Sequence, residues 1–253
     1  MSFPLRFHIG ELSVSAHLVF EYLAFFVAYR YYVYLRIKQT DEIPVANRLS
    51  IILGATIGAF VGSRVVGILE NPQFEWSVVY FVSIFNVKTI MGGLFGGLLG
   101  VETTKLLIGE RRSSGDLFTL PIVLGIFVGR IGCFLAGTSE FTYGSETSLL
   151  TGMDLGDGIM RHPIALYELV FLLVLHFLLR YLRDRVRLPS GHLFRYFLIA
   201  YFGFRFLIEF IKPNVFFVAG LSSIQWLCII CFLYYSRTII DTARYAYQKI
   251  HLL

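Results

Sequence analysis

A chain of 253 residues that is 56% hydrophobic and only 15% charged, with a mean hydropathy of +0.69, lies outside the range of water-soluble globular domains. These values exclude a soluble enzyme and define a membrane protein. The net charge of +5 is accounted for by where the basic residues fall and requires no nucleic-acid partner.

The N-terminal stretch MSFPLRFHIGELSVSAH lacks the basic start, apolar centre and small-residue cleavage site of a secretory signal, so the first span is expected to be retained. Crossing a hydrocarbon core of about 30 Å takes about 20 apolar residues. Apolar runs between polar clusters predict spans near residues 14–35, 49–69, 89–109, 117–137, 163–182, 193–211 and 219–236. The expected fold is an all-α integral membrane protein, a seven-transmembrane-helix bundle forming one polytopic domain over residues 1–253. One polar, glycine-rich segment at 138–162 interrupts it.

Fourteen Lys and Arg fall in the first, third and fifth loops and after the last span, against four (Arg6, Lys88, Arg161, Lys212) on the opposite side. The positive-inside rule therefore predicts an outside N-terminus and a cytoplasmic C-terminus. The remaining four arginines, Arg30, Arg64, Arg130 and Arg205, lie within spans, where each disfavours insertion by about 2.5–3.5 kcal/mol unless it meets a partner or cavity. Arg30 falls in the cytoplasmic half, where snorkelling accounts for it. The other three lie 15, 13 and 12 residues into spans that run outward, a rise of about 18–22 Å, so they are expected level with one another in the outer half. Internal ion pairs are one explanation, with Glu209 four residues after Arg205 and Glu21 and Glu168 also in outer halves. A bound anion, most naturally a phospholipid phosphate held by guanidinium forks, is the other.

Gly54, Gly58 and Gly62 on the second span, and Gly92, Gly96 and Gly100 with Gly93 and Gly97 on the third, form a small-xxx-small pattern for close helix approach. Gly92 and Gly93, at the outer end of their span, are also expected to leave room for a headgroup. Cys133, Cys228 and Cys231 all lie in apolar segments and read as small hydrophobes. No metal site and no cofactor is expected.

The stretches MGGLFGGLLG, GRIGCFLAG, RHPIALYE and FLIAYFGFRFLIEF, with LGATIGAFVGSRVVGILENP before them, resemble in sequence and order the motifs of the prolipoprotein diacylglyceryl transferase family. The resemblance runs over about residues 14–235. It implies a multi-pass bacterial inner-membrane enzyme, with its site in the outer half of the bilayer. Such an enzyme moves the diacylglyceryl group of phosphatidylglycerol onto the cysteine thiol of a prolipoprotein and releases glycerol 1-phosphate. Sulfur then displaces a phosphate ester at an sp³ carbon, and guanidinium groups aimed at the departing phosphate favour the transition state.

Matched residue by residue, the resemblance implies Arg130 and Arg205 on the phosphate, Tyr201 as hydroxyl donor to it, and Arg64 and Glu209 in the shell that orients them. His162, Tyr167 and Glu168 match the HPxxLYE stretch that opens the fifth span. Three positions depart from the pattern. Met91 stands where the family has the histidine of HGG, and a thioether accepts no proton at neutral pH. Cys133 and Ala136 replace asparagines of the fourth-span signature. Three readings stay open: another base, for which His162 is the candidate; a different acceptor for the diacylglyceryl group; or a non-catalytic phospholipid-binding membrane protein.

Overall fold

The computed structural model describes residues 3–10, 12–38, 41–70, 87–214 and 218–251. Its long helices are α1 (Ala16–Lys38), α2 (Val45–Glu70), α3 (Ile90–Ile108), α4 (Asp116–Ala136), α5 (Ile164–Arg185), α6 (His192–Ile208), α7 (Ser223–Tyr234) and α8 (Ser236–His251). A helix therefore occupies each predicted interval. Four of them, α2 to α5, are long and apolar enough to cross a membrane; α7 and α8 together pass the same test but are bent by 64° at Tyr235. Apolar side chains stand outward where lipid would meet them, among them Phe25 at 72% exposure and Leu106 at 83%, as expected when hydrocarbon rather than water is the solvent. Asn71 and Pro72, which end the second-span motif, lie outside the described residues.

The chain divides into two compact units. The first holds residues 1–41, 113–197 and 210–213, hence α1, α4, α5 and the opening of α6. An antiparallel hairpin of β1 (Arg6–Ile9) and β2 (Leu12–Ser15) leads into α1, and a second, β3 (Met153–Asp154) with β4 (Met160–Arg161), lies in the polar segment between α4 and α5. The Tyr32 and Phe118 rings stack at 4.6 Å between α1 and α4. Gly132 on α4 lets His17 and Phe20 of α1 come close: a Cβ there would sit 2.7 Å from the Phe20 Cβ. Asp116, in the first turn of α4, accepts from the backbone N–H of Gly191 (2.6 Å) and of Phe194 (3.0 Å), so one carboxylate satisfies donors at the start of α6.

The second unit holds residues 42–112, 198–209 and 214–253, and its centre is the α2–α3 seam. A Cβ on Gly58 would lie 2.3 Å from the Gly96 carbonyl oxygen, and one on Gly96 would lie 2.3 Å from that of Gly58. The two helices thus pack backbone against backbone, as the glycine spacing predicts. Thr89 caps α3, its side chain accepting from Gly92 N at 3.1 Å while its own N–H donates to Ser63 Oγ at 3.0 Å. The helix α7 is shorter than the apolar run at 219–236. Val218 and Leu221 pair across a turn containing Gly220 at φ +76°, and α7 starts only at the Ser222–Gln225 capping box. Likewise α6 gives way at Glu209 to a tight turn, Glu209–Ile211, before Pro213.

Between α3 and α4, the Glu110 carboxylate accepts from Arg112 Nε (2.8 Å), Arg112 Nη2 (2.9 Å), Arg112 N (3.0 Å) and Asn47 Nδ2 (3.0 Å), while Arg112 Nη1 also donates to the Glu42 carbonyl. The Arg112 guanidinium, then Asn47, holds the Glu110 carboxyl down at about 2. The resulting stabilisation is complete above the ordinary carboxylate pKa of about 4.3 and fades as pH falls toward the folded-state value. Thermal unfolding in detergent from pH 6 to pH 3 should therefore show a loss in the wild type that Glu110→Gln, destabilised already at pH 6, does not share. Gly96→Val should abolish folding, read as loss of the monodisperse species in size-exclusion chromatography, whereas Gly93→Ala, whose Cβ would meet nothing closer than 3.8 Å, should be tolerated.

Candidate active site

Two buried arginine–carboxylate pairs dominate the helices that carry the motifs. On α4, Arg130 puts Nε 2.8 Å from Glu168 Oε1 of α5, and Glu168 is wholly buried. Arg130 Nη1 also donates toward the Cys133 sulfur, one turn on, at 3.6 Å. A guanidinium in this setting costs several kcal/mol to desolvate, and a carboxylate at hydrogen-bonding distance is what offsets it.

The second pair belongs to the other unit. Arg205 Nη2 donates to Glu209 Oε1 at 2.8 Å, across one turn of α6. The other carboxylate oxygen, Oε2, accepts from Asn214 Nδ2 (3.0 Å) and Ser222 Oγ (3.2 Å), and the Asn214 amide also reaches the Glu209 carbonyl at 2.9 Å. Gln225, which completes the α7 cap, donates to the Phe206 carbonyl at 3.2 Å. Glu209 is therefore fixed by donors on both oxygens and holds the guanidinium plane in turn. Tyr201, one turn before Arg205, is wholly buried.

Arg64 lies on α2, where Nη1 donates to the Val87 carbonyl at 3.0 Å and the guanidinium sits over the Phe60 ring at 5.0 Å. In the same unit Met91 is buried and Gly92 is closed off, since a Cβ there would come 2.3 Å from the Gly62 carbonyl oxygen and 2.7 Å from the Val66 Cβ; Gly93 is the roomier of the two. His162 stands immediately before α5. Its Nδ1 lies 3.2 Å from the Tyr167 hydroxyl, which in turn lies 2.9 Å from Thr151 Oγ1. Its backbone is clamped as well, with His162 N donating to Ser145 O (3.1 Å) and Gly144 N donating to His162 O (2.9 Å).

Within the first unit the structure thus brings together Arg130, Glu168 and Cys133, and separately His162 with Tyr167. Within the second it brings together Arg205 and Glu209. It adds His17, which the sequence does not single out. This imidazole, at the head of α1, interacts with the Cys133 thiol, and its Nε2 lies 3.9 Å from both Glu21 and Glu140. Its Nδ1 is buried and has no hydrogen-bond partner among the described residues. The one available signal was spacing, since His17 and Glu21 stand four apart on one face of α1; the approach to Cys133 is a tertiary contact that spacing does not encode. Among the described residues no group of three His, Cys, Asp or Glu could hold a metal ion.

A helical membrane protein with arginines fixed on buried carboxylates is a class suited to holding an anionic group in a low-dielectric setting. Comparison with known proteins narrows the class. The family model described as prolipoprotein diacylglyceryl transferase matches residues 4–240, and the chain belongs to that family of transferases. Relatives named phosphatidylglycerol–prolipoprotein diacylglyceryl transferase include one from Nitratidesulfovibrio vulgaris (strain DP4), 34% identical over 198 aligned residues in a match that covers 75% of this chain and 70% of the relative. One from Cupriavidus pinatubonensis is 30% identical over 250 residues, covering 89% of this chain and 86% of the relative. One from Bordetella bronchiseptica is 27% identical over 247 residues, covering 89% and 90%.

Glu168→Gln should lower stability by about 3–5 kcal/mol, the cost of leaving a buried charge without its partner. The check is the thermal midpoint of purified protein in detergent. An unchanged midpoint would mean that the Arg130–Glu168 pair carries no such load.

Proposed function

We propose that this protein transfers the diacylglyceryl group of phosphatidylglycerol to the cysteine thiol of a prolipoprotein at the outer half of the bacterial inner membrane, releasing glycerol 1-phosphate. The observation that carries the reading is the pair of buried arginines, Arg130 and Arg205, each oriented by its own carboxylate on the helices that bear the family's motifs. An arginine fixed in this way reorganises little during reaction, which is the condition under which a guanidinium favours charge building on a leaving phosphate. Both are assigned to the phosphate, with Tyr201 donating its hydroxyl and Arg64 with Glu209 orienting the group. Tyr167, Glu168, Cys133, Met91 and Gly93 are assigned to substrate binding, and Gly92, packed against Gly62 and Val66, is withdrawn from that role. The reading includes the seven-span topology with an outside N-terminus, which the distribution of Lys and Arg supports.

The acceptor thiol, with an ordinary pKa of about 8.5, must lose its proton to attack. His162 is assigned as the base, with Tyr167 orienting its ring. A specific observation favours a second imidazole: His17 interacts with the Cys133 thiol, whose sulfur also accepts from Arg130. Whichever histidine accepts the proton, its Gln variant loses the acidic limb of the pH–rate profile; the variant with an unchanged profile is excluded.

The whole reading is tested with purified protein, labelled phosphatidylglycerol and a lipobox peptide, scoring thioether-linked product and glycerol 1-phosphate. Arg130→Ala and Arg205→Ala should each lower kcat by about 10²-fold or more while still inserting. Bound lipid without turnover in the wild type would overturn the transferase reading for this acceptor in favour of a phospholipid-binding protein.

A further inference from the structure

Apart from the motif residues, the first unit contains a cavity of about 370 Å³ between the C-terminal ends of α1 and α5, lined by Tyr31, Tyr34, Leu35, Lys38, Arg180, Arg183 and Asp184. We infer that this cavity is a second anion site, built for the phosphate of an anionic phospholipid at the membrane face opposite the candidate active site. It is separate from the transferase reading and does not depend on it.

The charge balance comes first. Three cations, Lys38, Arg180 and Arg183, face one carboxylate, Asp184. Asp184 is already engaged, 2.8 Å from Arg183 Nε and 3.7 Å from Arg180 Nε, so its single charge is shared between two guanidinium groups. Lys38 has turned onto the Tyr34 ring, with Nζ 4.6 Å from its centroid, a contact that suits a cation short of anionic partners. Arg183 Nη1 is buried and has no hydrogen-bond partner among the described residues. With that guanidinium engaged by Asp184 and the Tyr31 side chain, the charge left facing the cleft is that of Lys38 and Arg180, and an acceptor oxygen is what would meet it.

Basic residues that only set topology need a place along the chain and no enclosure. Here they line a half-open cleft of headgroup size. The surroundings of the cleft favour a lipid over a free ion: Ile37, Phe177, Leu178 and Tyr181, outside its lining, are all more than half exposed on the same two helices and offer an apolar surface on which acyl chains can lie. Tyrosine rings at such a level suit the boundary between headgroups and hydrocarbon.

The test uses the delipidated full chain in neutral detergent, with bound lipid counted by native mass spectrometry during titration with dioleoyl phosphatidic acid or dioleoyl phosphatidylcholine. The variant is K38Q/R180Q; both side chains are exposed and neither carries the buried nitrogen, so folding should survive, as a monodisperse elution profile would verify. The wild type is expected to bind one more phosphatidic acid than the variant, with at least tenfold weaker binding of that equivalent in the variant and no difference for phosphatidylcholine. Equal phosphatidic acid counts in a folded variant would overturn the site. If millimolar inorganic phosphate removes the extra equivalent, the ligand is free phosphate and the lipid assignment fails; persistence of the adduct supports it.

Discussion

The cost of carrying a guanidinium group into a bilayer governs how this protein is put together. Arg130 and Arg205 are permanent charges on helices otherwise composed of apolar residues, and each meets a buried carboxylate at 2.8 Å. The two solutions differ. Glu209 comes from the same helix face and is itself held by Asn214 and Ser222, whereas Glu168 comes from a different helix and ties α5 to α4. In the first case the ion pair organises a helix end; in the second it organises a helix–helix contact. Neither pair is explained as a gain in stability alone, because a well-packed apolar substitute would do as well.

The same constraint appears at both ends of the helices. Polar backbone left over where helices stop is satisfied by particular side chains: Asp116 on two amides at the start of α6, Thr89 on α3, and Ser222 with Gln225 on α7. Loop charge is organised too, with Glu110 gathering Arg112 and Asn47. Most of the chemistry-bearing side chains therefore have a second residue that fixes them. That is the arrangement required of a site whose electrostatics must be preorganised.

Much of this is legible in the sequence because membrane helices obey a strong local rule. Apolar length locates α1 to α7 but not the amphipathic α8, glycine spacing locates the α2–α3 seam, and the four-residue interval from Arg205 to Glu209 offers their pairing as one explanation of the charge. What escapes is whatever depends on two segments far apart in the chain. Glu168 pairs with Arg130 across 38 positions, and His17 reaches Cys133 across a much longer interval; neither contact leaves a periodic trace. Helix ends escape for another reason. The apolar run continues through residues 219–222, but a Gly220 turn and a capping box decide where α7 starts, and hydropathy does not register hydrogen-bond geometry. The departures at Met91, Cys133 and Ala136 are visible as letters, while the proximity of His17 to one of them is visible only in space.

The glycine seam has a bearing on motion. Where two helices touch through carbonyl oxygens and α-carbons, no layer of side chains remains to rearrange, and parting them would expose peptide groups to hydrocarbon. The α2–α3 pair is therefore a stiff double beam. Rearrangement within this unit falls on helix boundaries lined by large, adjustable side chains, with the seam as the part that stays fixed.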